Sequence, residues 1–118
     1  HWMEEAQHAK LDTLMVEALA DGRDEAGIQR AIDGFLEIGG FLDDGLEAQA
    51  GFNLDAFEAA TGRRLTAAER AELAPQQHQA LRWTYLGTGL AHPKFAATVA
   101  AISPAAADRL AQVAPTFG

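Results

Sequence analysis

His1-Trp2-Met3-Glu4-Glu5-Ala6-Gln7-His8-Ala9-Lys10-Leu11-Asp12 opens the chain and reads as the start of a helix. On a helix, Glu5 and His8 stand three residues apart and leave the same face one turn apart. One carboxylate and one imidazole at that spacing can reach a common metal centre. The same spacing also describes a solvated surface pair contributing roughly 0.3 kcal/mol, so the surrounding pattern has to decide. Glu4, His8, Leu11, Met15 and Ala18 recur at alternating steps of four and three, the seam of a packed helix. His1, Glu5, Asp12 and Leu19 form an adjacent stripe, and His8 lies where the two meet. The helix is expected to run to about Ala20, with Gly22 suited to a left-handed C-terminal cap.

Asp24 is placed to cap a second helix. Its seam is Ile28, Ile32, Phe35, Gly39, Leu42 and Leu46, again at steps of four and three. Gly39-Gly40 marks either a close approach by a neighbour or a bend. Asp43 falls on the edge of the apolar seam and Glu47 one turn further along the same flank. The seam then meets the polar residues Gln49 and Asn53, so a break near Gly51-Phe52-Asn53 is expected. A short helix to Ala60 would follow, closed by Thr61-Gly62.

Thr66-Ala67-Ala68-Glu69 is a capping box that starts a third helix, with a kink or restart expected at Pro75. His78, Leu81, Arg82 and Tyr85 share one stripe of it, and Gly87-Thr88-Gly89 should end it. A short helix from about Lys94 to Ala101 follows the extended His92-Pro93 pair. Ser103-Pro104 opens a last helix to about Val113.

The totals agree. A chain of 118 residues with 48% hydrophobic content is one ordered domain, residues 1–118, and its abundant alanine points to helix. A net charge of −8 argues against nucleic acid or an anionic membrane as partner. Without cysteine there are no disulfides, thiolate zinc sites or iron–sulfur clusters. No apolar run is long enough to span a membrane and no signal peptide is visible, so a cytoplasmic protein is expected. Gly-rich phosphate loops and nucleophile elbows are missing, and the lone serine, Ser103, reads as a helix cap.

Depth along the helices tests the metal reading. From His8 the first helix travels roughly 20 Å to its end, and an antiparallel second helix returns to that level near residues 38–47. Asp43 and Glu47 lie there. The third helix, returning from Thr66, reaches the same level near residue 80, beside His78. An up-down-up layout thus brings Glu5, His8, Asp43 or Glu47, and His78 to one height.

The run Glu4-Glu5-Ala6-Gln7-His8-Ala9-Lys10-Leu11 resembles the second helix of ferritin-like and rubrerythrin-like di-iron carboxylate proteins, whose hallmark is Glu-x-x-His. That resemblance implies an all-α antiparallel bundle binding iron, or manganese, with oxidase or oxygenase chemistry on an unknown substrate. Glu5 and His8 would ligate, Asp43 or Glu47 would supply the third-helix carboxylate, and His78 the fourth-helix histidine. Glu4, Arg82 and Tyr85 would stand around the ligands, Arg82 orienting a carboxylate and Tyr85 offering a phenol. The chain departs from the family at Pro75, which stands where a glutamate should precede His78 by three residues. The family's first helix is also missing, so three major helices and short C-terminal ones would form an incomplete bundle. The absent helix would lie upstream or come from another subunit, as in a homo-oligomer.

A rival reading needs no metal. In it Arg82 makes an ordinary ion pair, His78 is a hydrogen-bonded core histidine, Tyr85 packs, and Trp2 and Trp83 are core or interface aromatics. The protein is then a non-catalytic helical module that uses the His8–Leu11–Met15 seam to bind a partner or dimerise.

Overall fold

Capping chemistry sets the boundaries of the helices in the computed structural model, which describes residues 1–117. Helix α1 spans Trp2–Ala20 and ends before Gly22, whose φ of 74° is the left-handed conformation expected of it. Asp24 accepts a hydrogen bond from the Gly27 amide at 2.8 Å and starts α2, Glu25–Thr61, which Gly62 closes at φ 69°. Thr66 and Glu69 form the reciprocal capping box that opens α3, Ala67–Arg82. A π-helical turn, Trp83–Gly87, carries the rod on into one further turn, α4, Thr88–Leu90. Next come α5, Pro93–Ile102, capped by the His92 ring, and α6, Pro104–Val113, capped by Ser103. A 3₁₀ turn, Ala114–Phe117, completes the all-helical fold, and no strand occurs among the described residues.

The break expected near Gly51-Phe52-Asn53, a restart at Pro75 and a stop at Gly87 do not occur. α2 runs unbroken for 37 residues through Gly51-Phe52-Asn53, because Asn53 turns its amide to Gln77 on α3 rather than capping a new helix. The third rod passes Pro75 as continuous α-helix and does not stop at Gly87. The Trp83 ring lies across the space where a Gly87 side chain would project, so the glycine permits close packing inside the rod instead of ending it.

α2 and α3 form an antiparallel hairpin. Asp55 pairs with Arg70 near its closed end and Asp43 with Arg82 at the other. The core sits at the opposite end of α2 from that turn. Ile28, Val99, Ala106 and Leu110 are buried together, with Ile32, Leu36, Phe95 and Ala20 packed against them. Ser103 is buried beside them; its hydroxyl donates to Glu25 at 2.8 Å and accepts from the Ala106 amide. Arg109 of α6 reaches Asp33 of α2.

α1 does not join the hairpin as a third packed rod. It makes its main contacts with α5, and none of its residues is buried. The molecule is accordingly long, 57 × 31 × 19 Å, with a radius of gyration of 18.0 Å, against about 13–14 Å for a compact chain of this length.

Candidate functional site

A partly buried polar cluster lies between α2 and α3, where helical spacing puts His78 and Arg82 one turn apart on the α3 face turned to Asp43. His78 Nε2 is 2.8 Å from Asp43 Oδ1. Arg82 donates from Nε to the same oxygen at 3.0 Å and from Nη2 to Oδ2 at 2.6 Å. All three side chains are about one-fifth exposed. The bidentate fork fixes the carboxylate plane and occupies both of its oxygens. The Arg82 guanidinium also lies 4.9 Å from the centre of the Phe117 ring, and Gln79 donates to the Phe117 carbonyl at 2.7 Å. One cluster therefore ties α2, α3 and the C-terminal turn together.

Two of the expected site residues meet here, Asp43 and His78, and Arg82 bonds the carboxylate. The others lie elsewhere. Glu5 and His8 approach each other at 3.8 Å, but their side chains are 58% and 69% exposed. Glu4 is exposed beside them, and Glu47 is exposed on α2. Tyr85, expected to pack or to serve the site, is 68% exposed and does neither; Trp2, read as a core or interface aromatic, is 89% exposed. Among the described residues no three His, Asp or Glu side chains form a group that could hold a metal ion. The expected centre of Glu5, His8, Asp43, Glu47 and His78 is not assembled, for two reasons. α1 is splayed from the hairpin, and Arg82 claims the carboxylate that a metal would need. These residues, as arranged, do not fit a di-iron group.

The second candidate is an apolar groove of about 580 Å³ between the π turn and the α5–α6 hairpin, lined by Trp83, Leu90, Phe95, Val99, Leu110 and small residues. Its size suits a ligand, yet none of the lining side chains ionises, so it offers no acid, base or anchor for a charged group.

Sequence reasoning missed the contributions of Gln79, Phe117 and Ser103's bond to Glu25. Only the last had a local signal, a cap serine. The other contacts join residues more than thirty positions apart. Hydrogen bonds from Gln29 first, then Ser103, hold the Glu25 carboxyl below the usual carboxylate range. The backbone amide of Thr66, then its hydroxyl, does the same for Glu69.

No family model, curated protein or solved structure matches the chain. The ferritin-like resemblance therefore rests on the quoted residues alone.

Proposed function

We propose that this chain is a non-catalytic helical assembly module that associates with a second copy of itself to complete a bundle. The observation that carries the reading is uncovered apolar surface. The accessible area is 8320 Å², while a folded monomer of 12.6 kDa is expected to expose about 6,200 Å². The excess, polar and apolar area together, is about 2,100 Å² per copy, the scale of an obligate interface. It has identifiable sources: Leu11, Leu14, Met15 and Leu19 on α1, and Phe35, Ile38, Phe41, Leu42 and Phe52 on α2, each more than two-fifths exposed.

The test is mass against concentration by sedimentation equilibrium. The mass should rise from 12.6 kDa toward twice that value on concentrating the protein. A constant monomer mass, with helical circular dichroism intact, would remove the proposal.

A ferritin-like iron or manganese oxidase is the second reading. It requires α1 to dock on the hairpin and Asp43 to exchange Arg82 for a metal. The observation in its favour is that His78 touches Asp43 at the depth that helix counting assigns to both. Elemental analysis tests it. Protein that retains no iron or manganese, with His8→Ala changing nothing, would end it.

A further inference from the structure

We infer that the two copies meet through α2, antiparallel about a two-fold axis between Leu42 and Gly45, an assignment that rests on the self-association proposed above. The outward face of α2 carries Ala31, Phe35, Ile38, Leu42, Gly45, Gln49, Phe52 and Ala56, all exposed. Their steps alternate four and three throughout, the seam of a two-helix coiled coil roughly 37 Å long. Where Ile28 continues this stripe toward the N-terminus α5 and α6 cover it, whereas Ala50 and Leu54 are buried on a face rotated away from it.

The seam complements itself when reversed. About the stated axis Ala31 faces Ala56 of the second copy, Phe35 faces Phe52, Ile38 faces Gln49, and Leu42 faces Gly45. On one flank Phe41 faces Ala48. Each large side chain at the centre meets a small one, as a two-fold interface requires of a single surface used twice. A parallel pairing would set Gly45 on Gly45 and Gln49 on Gln49, leaving a gap and two facing amides. Gln49 is held by a 2.9 Å hydrogen bond to Asn53, itself bonded to Gln77, so its position along the seam is fixed. One polar residue at a seam position selects register.

Charge points to the same surface. α2 is strongly acidic, with Arg30 its one basic residue, and most of its faces would repel a copy of themselves. The seam holds no ionisable side chain, and of the positions flanking it only Asp55 is charged, already paired with Arg70 at 2.6 Å. Gly39 and Gly45 find no neighbour within 4 Å of where a side chain would begin, so nothing within the chain requires them. A second helix at close approach would. The five large side chains Phe35, Ile38, Phe41, Leu42 and Phe52, 44–76% exposed, offer the equivalent of about three whole residues, or roughly 550 Å² per copy at about 180 Å² each. Two copies then exceed the ~1,000 Å² that a specific interface needs.

The chain has no cysteine, so cross-linking reads the geometry directly. Full-length Leu42→Cys and Gly45→Cys, one bearing a mass tag, are oxidised separately and as an equal mixture, beside sedimentation of the unsubstituted protein. The expected result is a cross-linked heterodimer in the mixture, at least tenfold above the homodimer formed by either variant alone. A further variant, Ile38→Glu, should weaken association at least 100-fold with its circular dichroism unchanged. Homodimers from each variant alone would overturn the antiparallel arrangement in favour of a parallel one. A dimeric protein with no cross-link in any mixture would overturn the use of α2 while leaving self-association standing. Monomers throughout would overturn both.

Discussion

The two faces of α2 carry similar apolar residues and have opposite fates. At the N-terminal end its inner face, from Ile28 to Leu36, lies under α5 and α6, with Ser103 and Arg109 reaching across to Glu25 and Asp33. Its outer face, from Phe35 to Phe52, meets water, apart from the stacking of Phe35 on Phe95 at 5.9 Å. Hydropathy does not separate the two. What separates them is that only one has a partner within the chain, so the covered face stabilises the monomer and the bare one has its energy still to gain.

That contrast can be broken by measurement. Leu110→Ala, at a position 4% exposed in the covered core, should destabilise the protein by about 3 kcal/mol in urea unfolding, whereas Leu42→Ala in dilute solution should change it by less than about 1 kcal/mol. Equal effects would show that the two faces do not differ in the monomer. Asp43→Ala leaves Arg82 half-buried without its carboxylate and should lower stability by about 2 kcal/mol. The companion variant Arg82→Met should recover part of that loss in the double mutant, giving a non-zero coupling energy.

Gly45→Ala sharpens the comparison because its two effects have opposite sign. In the monomer an added methyl group meets open space, so helix propensity should raise stability by about 1 kcal/mol. In the concentrated protein the same methyl group should weaken association. A variant that is both more stable and equally associated would place Gly45 outside the interface.

The smallest effect concerns pH. Glu25 and Glu69 have carboxyls held below their ordinary range by hydrogen bonds. Their contribution to folding is therefore fully present above the unfolded-state value, about 4.3, and is lost as pH falls through the lowered folded value. The melting temperature should decline below about pH 4.3, and Glu25→Gln should make that decline shallower while starting from a lower plateau. An unchanged slope would mean that the Ser103–Glu25 bond does not hold the α6 cap to α2.

Local chemistry made most of the helices legible. Asp24, Thr66, Ser103, Gly22 and Gly62 each act within a few residues, so their caps and stops could be placed from neighbours in sequence. The same locality produced the errors. Asn53 looked like a cap because its bond to Gln77 crosses to another helix, and Gly87 looked like a stop because the Trp83 ring beside it depends on the π turn. Of the candidate site, His78 at one height with Asp43 or Glu47 was legible, since helix length alone sets that height; the structure selects Asp43. Arg82 was expected to orient a carboxylate or form an ion pair and does so, but its capture of both Asp43 oxygens was not legible, because a side chain's choice between partners depends on orientation, which periodicity does not carry.

By itself, then, the sequence determined an all-helical chain, its caps, and the four-three spacing of an apolar seam on α2, because these follow from interactions within one or two turns. Only the tertiary structure decided which members of that seam are covered, that α1 stands away from the hairpin with Glu5 and His8 in water, and that Asp43 serves an arginine clamp. Those outcomes follow from competition among distant surfaces for burial, and no local pattern encodes the winner.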